Sequence, residues 1–159
     1  MRIRYTIRRL FFATFVGVLF VGVAIQFIPY GRDHTNPPVR AEPAWDTPQT
    51  RALFARACAD CHSNQTVWPW YSAIAPMSWL VTRDVQEGRE KFNVSEWDRE
   101  DNEGDEAAEV VQDGSMPPFH YLMAHPLARL SSQEHQAFIA GLRATFGDKG
   151  GDDVEDDDD

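Results

Sequence analysis

The sequence has 159 residues, a net charge of −10 and two cysteines, both in one short motif. This length suits a single domain. The acidic balance argues against a nucleic acid partner, because phosphate binding requires the opposite charge. Composition divides the chain into an N-terminal anchor (residues 1–30), a proline-rich spacer (31–46), a central domain (47–147) and an acidic tail (148–159). The central part is small but long enough for one hydrophobic core.

The N-terminal segment has the composition of a membrane anchor. Four arginines precede an apolar run, residues 10–28, which as a helix would be about 28 Å long and would match the bilayer hydrocarbon core. The run ends in QFIPY, without the small-residue cleavage site of a signal peptide. We therefore expect an uncleaved single-pass anchor in the lipid bilayer, rather than a removed signal or a buried core helix. The arginines predict a cytoplasmic N-terminus and, in a bacterial inner membrane, a periplasmic C-terminal domain.

The spacer is rich in proline and charge. Pro37, Pro38 and Pro43 disfavour a helix and favour extended polyproline geometry. We expect a semi-rigid segment that reaches up to roughly 50 Å at about 3.1 Å per residue, or one that packs along the domain. His34 in this segment and His135 in the last helix are expected to face solvent.

The predicted first helix of the domain leads into the cysteine motif. Asp46 or Thr47 can cap its start, and Pro48 suits its first turn. Residues 49–61 contain no helix breaker. The residues that give this helix an apolar face are Leu53, Phe54 and Ala57.

The motif Cys58-Ala59-Asp60-Cys61-His62 has the C-x-x-C-H pattern of covalent c-type haem attachment. Two thiols three residues apart lie on one face of a helical turn, so both can add to the vinyl groups of one porphyrin. His62 would then ligate the iron. The sequence therefore predicts one covalently attached haem c.

Three other interpretations of the motif are weaker. A structural disulfide between Cys58 and Cys61 would leave His62 unexplained. A thioredoxin-like redox dithiol, the next best interpretation, would need a βαβ context that the sequence does not show. A zinc site would need four ligands, and there is no second cysteine pair.

Aromatic residues follow the motif at high density. Trp68 and Trp79 are candidates for a wall of the haem pocket, where an indole N–H could bind a haem propionate; an ordinary aromatic core is the alternative. Residues 76–87 are predicted to form a helix that buries Trp79, Leu80 and Val81.

The second axial ligand of the iron is predicted to be Met116, in the segment GSMPP. A helix over residues 103–112 should stop at Gly114, and the two prolines after Met116 would hold its thioether on a stiff loop. His/Met ligation raises the reduction potential. The competing ligands are His120, His125, Met123 and Met77. A core methionine and an open sixth position are the remaining alternatives.

The last helix has a capping box formed by Ser131 and Glu134. Its apolar stripe consists of Phe138, Ile139, Leu142 and Phe146.

Two long segments resemble a known family. CADCHSNQTVWPWYSAIAPMSWLVTRDVQEGREKFNVSEW and GSMPPFHYLMAHPLARLSSQE are similar to the bacterial haem-binding domain family of small membrane-anchored c-type cytochrome-like proteins, over residues 29–142. The resemblance implies one c-type haem attached at Cys58, Cys61 and His62. Met116 matches the methionine-proline-proline element of small cytochromes c. In such folds the first and last helices pack together, which implies contacts of Leu53 and Phe54 with Phe138 and Leu142.

Together these features predict an all-α, cytochrome c-like domain after one transmembrane helix. Its expected role is single-electron transfer at the periplasmic face, as a carrier or as a subunit of a larger redox complex. A haem enzyme or sensor with an open sixth iron site, such as a peroxidase or gas-binding domain, is the rival, and a haem that mainly holds the fold together is a third option. The sequence shows no distal His/Arg pair at a motif-like spacing, so a non-enzymatic role is favoured. The acidic tail is expected to be disordered and could steer a basic redox partner.

Overall fold

The computed structural model of the protein describes residues 2–147, with side chains from residue 5 onward. The acidic tail predicted for residues 148–159 lies outside the described residues. Over the described range the chain is helical, with one isolated bridge between Ala41 and Glu96 and no strand. The predicted all-α class is therefore confirmed.

The helices follow one another in the order that the sequence predicted, with some changed boundaries. The α-helices of the described residues are α1 (Arg2–Ala24), α2 (Pro48–Ala57), α3 (Ala59–His62), α4 (Met77–Lys91), α5 (Ala107–Gln112), α6 (Phe119–Ala124) and α7 (Ser132–Phe146). Short 3-10 helices lie at Ile25–Phe27, Trp70–Ala73, Gly104–Glu106 and Pro126–Ala128.

The chain forms two compact units. The first consists of the chain up to Thr35 together with Trp68–Arg83, and the second of Asn36–Val67 together with the chain from Asp84 onward. Helix α1 belongs to the first unit, and Tyr5–Phe27 is long and apolar enough to cross a membrane. The cysteine motif belongs to the second unit.

In the first unit, the segment from Trp68 packs against the end of α1 and the residues after it. The Gln26 side chain donates to Ala75 O at 2.9 Å and accepts from Ala75 N at 3.1 Å. The predicted solvent exposure of His34 is wrong: the imidazole is half-buried, lies 3.1 Å from Ser72 O through Nε2 and stacks on Trp68 at 4.5 Å.

The buried face of α4 differs from the predicted one. Trp79, Leu80 and Val81 are half-buried, and the buried residues of this helix include Ser78, Thr82 and Val85. Gly31, at φ +80°, explains part of the difference, because a Cβ there would lie 2.6 Å from Ser78 O. Because the backbone at Gly31 comes this close to α4, the surface of α4 beneath it must carry a small residue, and that residue is Ser78.

The core of the second unit is built where α2 and α5 pack on α7. Phe54, Phe138 and Leu142 are almost fully buried in one cluster with Leu53. The predicted contact between the first and last helices of the domain is therefore confirmed. His135 on α7 is half-buried and lies 3.0 Å from Val111 O through Nε2, so its predicted solvent exposure is wrong.

The starts of α2 and α7 agree with the sequence signals, and the end of α2 does not. Thr47 caps α2 by accepting from Thr50 N at 3.1 Å, and Ser131 and Glu134 form the predicted capping box of α7. The predicted continuous helix over residues 49–61 is wrong. Cys58 has φ −127° and ψ −30°, which ends α2 and starts the short α3.

The second half of the proline-rich spacer packs along the second unit. Ser95 O accepts from Arg40 N at 2.8 Å and from Ala41 N at 3.2 Å, and Trp97 N donates to Ala41 O at 3.1 Å. Trp45 packs on the ring of Phe54, with the ring centroids 5.1 Å apart. Residues 36–46 thus pack along the domain, which was one of the two expected arrangements, and do not form an extended spacer.

Replacing Phe138 by Ala should lower the free energy of unfolding by about 3–5 kcal/mol, because the ring is fully buried and its removal leaves a cavity. Denaturant titration followed by far-UV circular dichroism measures the change. The matched control is Gln136→Ala on the exposed face of the same helix, which should change the free energy by less than about 0.5 kcal/mol. Equal effects of the two substitutions would contradict the core described above.

Candidate haem-binding site

The cysteine motif is a tight turn around one carbonyl group. Cys58 O accepts from Cys61 N at 3.1 Å and from His62 N at 3.0 Å. Both cysteines are half-buried free thiols. The turn holds the two cysteines three positions apart, with Cys58 at the N-cap of α3 and Cys61 inside it, a spacing that suits attachment to a single porphyrin.

His62 is buried, at 9% exposure, and its ring is held by Phe92. Nδ1 lies 3.2 Å from Phe92 O, and the two rings stack with centroids 4.3 Å apart. A hydrogen bond to a carbonyl oxygen requires the proton on Nδ1, which leaves the lone pair on Nε2 for a metal. Burial lowers the pKa of His62 and so favours the neutral ring. These features fit an axial ligand of haem iron.

Helix α4 passes directly over the motif at Gly88. A Cβ at this position would lie 2.7 Å from Cys61 O and 2.9 Å from Cys61 Cβ. The chain then returns beside the motif, where Val94 N donates to His62 O at 3.0 Å. Glycine is therefore needed at position 88 for α4 and α3 to come this close.

The two thiols do not have the character of a reactive thiolate pair. Burial raises the pKa of Cys58 and that of Cys61 to about 12, and the nearby carboxylates of Asp84 and Asp60 add to the effect at Cys61. Redox-active C-x-x-C pairs have a thiol with a lowered pKa. The environment of the motif thus argues against the redox dithiol interpretation.

Asp60, inside the motif, connects it to α6. One carboxylate oxygen accepts from Val67 N at 2.9 Å, and the other accepts from the Tyr121 hydroxyl at 2.8 Å. Burial, followed by the charge of Asp60, raises the pKa of Tyr121. The sequence analysis missed Tyr121, because no local pattern links residues 61 positions apart.

A second set of polar contacts supports the end of the motif. Arg89 donates through Nε to Ser63 O and through a terminal nitrogen to Thr66 Oγ1, both at 2.9 Å. Thr66 Oγ1 donates to Asp60 O at 2.6 Å. Arg89 is the basic residue whose charge opposes the rise in the pKa of Cys61. The sequence analysis did not single out Arg89 either.

Met116, the predicted second ligand, lies in the same unit as His62. Gly114 has φ +80° just after α5, as predicted for the helix stop. Met116 N donates to Val110 O at 2.9 Å, and the residue is 38% exposed. Its loop leads directly into α6, the helix that carries Tyr121. Ligation by Met116 stays a prediction.

The competing ligands have different surroundings. His120 Nε2 lies 2.7 Å from Asp84 Oδ2, and the His125 ring stacks on Tyr121 at 4.2 Å with Nδ1 3.1 Å from Tyr121 O. Met123, on α6, is 62% exposed. Met77 lies in the first unit. These contacts do not separate the candidates, because an imidazole with a polar partner at one ring nitrogen can still ligate a metal through the other, as argued for His62.

Trp68 and Trp79 both belong to the first unit. Trp68 is half-buried against His34. Trp79 is half-buried, and its indole Nε1 is buried with no hydrogen-bond partner among the described residues. A buried donor of this kind is suited to an acceptor on a ligand. The role of both residues in a haem pocket stays a prediction.

A family model described as "Haem-binding domain" matches residues 20–144. The chain belongs to this family. The match covers the cysteine motif, α4 and the Met116 loop, so the resemblance found in the sequence is confirmed, and haem is the ligand of this haem-binding domain. Neither a search of curated proteins nor one of solved structures found a match.

Replacing Gly88 by Ala should destabilise the haem-binding domain by about 1–3 kcal/mol, because the new methyl group would overlap Cys61. In the interior of a helix, replacing Gly by Ala otherwise raises the free energy of unfolding by up to about 1 kcal/mol. A decrease in the free energy of unfolding of the Gly88 variant would therefore be due to the clash with Cys61. Thermal unfolding and the yield of haem-loaded protein measure it. Glu90→Ala, at an exposed position of the same helix, is the control. A Gly88 variant as stable as this control would contradict the close packing of α4 on the motif.

Proposed function

We propose that the protein is a membrane-anchored mono-haem c-type cytochrome that transfers single electrons at the periplasmic face of the bacterial inner membrane. The observation that supports this most is the buried His62, whose ring is fixed by Phe92 O inside a C-x-x-C-H turn. A fixed neutral imidazole next to two thiols on one turn is what a c-type haem requires. The acidic character of the chain suits a basic redox partner or a place in a larger membrane complex.

In this proposal each residue of the motif has a separate task. Cys58 and Cys61 would hold the porphyrin through thioether bonds, and His62 would offer its Nε2 to the iron. The bound haem supplies a one-electron iron couple. Phe92 fixes the plane of the imidazole through its ring and its carbonyl, and a ligand held in this way needs little rearrangement when the iron changes its charge.

Met116 would complete the coordination and exclude small ligands. A thioether in the sixth position raises the reduction potential and leaves no open site for peroxide or gas. The loop supports this role because Gly114 ends α5 and the following prolines limit the conformations of the chain. This closed coordination is what separates an electron carrier from an enzyme or sensor.

The anchor is proposed from the first helix and its flank. Tyr5–Phe27 is long and apolar enough to span a bilayer, and basic residues lie on its N-terminal side. Positive charge stays on the cytoplasmic side. The haem-binding domain would then lie in the periplasm, where c-type haem is attached.

Replacing Cys58 and Cys61 together by Ala should abolish covalent haem retention. The full chain is produced in a host that attaches c-type haem, denatured and extracted with acidified acetone, and the mass of the remaining polypeptide is measured. The parent chain should keep the mass of one haem. The control Gln65→Ala, at an exposed site close to the motif, should keep it too. Haem extracted from the parent chain would show non-covalent binding and would contradict c-type attachment.

Replacing Met116 by Leu should remove the methionine-to-iron charge-transfer band, lower the reduction potential and open the ferrous iron to carbon monoxide. Absorption spectra of both oxidation states and a redox titration measure these changes. Met123→Leu, which removes an exposed thioether on the neighbouring helix, is the matched control and should leave the spectrum unchanged. A parent chain with high-spin iron that binds carbon monoxide would instead favour the enzyme or sensor alternative.

A further inference from the structure

The far end of the apolar helix is tied to a second segment of the first unit. The Gln26 amide donates to Gly22 O at 3.0 Å and to Ala75 O at 2.9 Å, and its oxygen accepts from Ala75 N at 3.1 Å. The polar atoms of Gln26 are therefore paired within the protein. Such pairing is needed where water is scarce, as at the edge of a bilayer.

The position of Gln26 along the helix sets the depth of this contact. Tyr5–Phe27 has 23 residues, which is about 34 Å of helix against a hydrocarbon core of about 30 Å. Gln26 is the penultimate residue of that span, so with α1 across a bilayer the segment at Ala75 would lie at the level where the hydrocarbon core gives way to the headgroups.

Large apolar side chains are exposed on both partners of this contact. Phe27 is 82% exposed, Trp70 79%, Ile74 47% and Met77 42%. We call these four residues the interfacial patch. The last three lie within five residues of Ala75, and Ile74 ends the 3-10 helix Trp70–Ala73 and directly precedes Ala75.

We propose that the interfacial patch inserts into the headgroup region of the bilayer that holds the anchor. This inference rests on the proposed membrane anchoring and adds a second, peripheral contact with the same lipid surface. Tryptophan is enriched at this depth because its ring is apolar and its N–H is polar. Exposed apolar residues at this depth would be covered by lipid rather than by water.

The charge distribution favours lipid as the occupant. Residues 68–82 contain no charged side chain, although the chain as a whole has a net charge of −10. Acidic residues in this segment would be repelled by the anionic lipids of a bacterial membrane and would be costly to move out of water. An uncharged, aromatic segment avoids both costs.

The test uses the full haem-loaded chain in vesicles of phosphatidylethanolamine and phosphatidylglycerol that contain a radiolabelled phospholipid. The photocrosslinking amino acid p-benzoylphenylalanine replaces Trp70 or Ile74, one at a time. Leu19 in the middle of the span is the lipid-facing reference, and Thr35, which is exposed in the same unit, is the water-facing control. The haem spectrum checks that each variant is folded. After illumination, the label bound to the chain is measured on a denaturing gel.

If the interfacial patch inserts into the headgroup region, the amount of label at positions 70 and 74 should be close to that at position 19 and several-fold above that at position 35. Label at position 19 with none at 70 and 74 would overturn the inference and leave the anchor intact. Equal amounts of label at positions 35 and 70 would also overturn it, because the proximity of these residues to the membrane span would then explain the labelling at both positions. The absence of label at position 19 would show that the helix does not span the membrane, and it would overturn the proposed interfacial contact as well.

Discussion

The contact between His62 and Phe92 joins the site to the core of the second unit. The Phe92 carbonyl oxygen lies 3.2 Å from Nδ1 of the imidazole, and the Phe92 ring stacks on it while also meeting the rings of Phe54 and Phe146 about 6 Å away. The same residue thus belongs to the hydrophobic cluster and orients the imidazole of His62. Any loss of core packing is therefore passed to the imidazole, which is only as well fixed as the core behind it.

The features that the sequence predicted correctly are local. The cap at Thr47, the capping box at Ser131 and the glycine stop at position 114 each depend on residues a few positions apart. The apolar stripes of α2 and α7 follow from helical spacing, and the family resemblance follows from two contiguous segments. These signals predict the helical class, most helix positions and the core residues of α2 and α7.

The features that the sequence missed depend on contacts between distant residues. The break at Cys58 could not be seen because no glycine or proline marks it; Gly88, 27 positions after Cys61, leaves room for α4 beside the motif. The hydrogen bond of Tyr121 to Asp60 and the contacts of Arg89 join segments that no periodicity relates. The buried face of α4 was misplaced because small polar residues, Ser78 and Thr82, occupy it instead of tryptophan.

The pairing of Gln26 with Ala75 has a consequence for any attempt to separate the haem-binding domain from the apolar helix α1. A chain cut after residue 30 would lose the side chain that satisfies both backbone groups of Ala75, an almost fully enclosed residue at 8% exposure. Its N–H and C=O would lose their protein hydrogen-bond partner, and the apolar surroundings of Ala75 would be opened to water. The boundary between the apolar helix and the rest of the folded chain therefore does not coincide with the end of the apolar run. A chain truncated in this way would therefore be destabilised at Ala75, which the intact chain encloses.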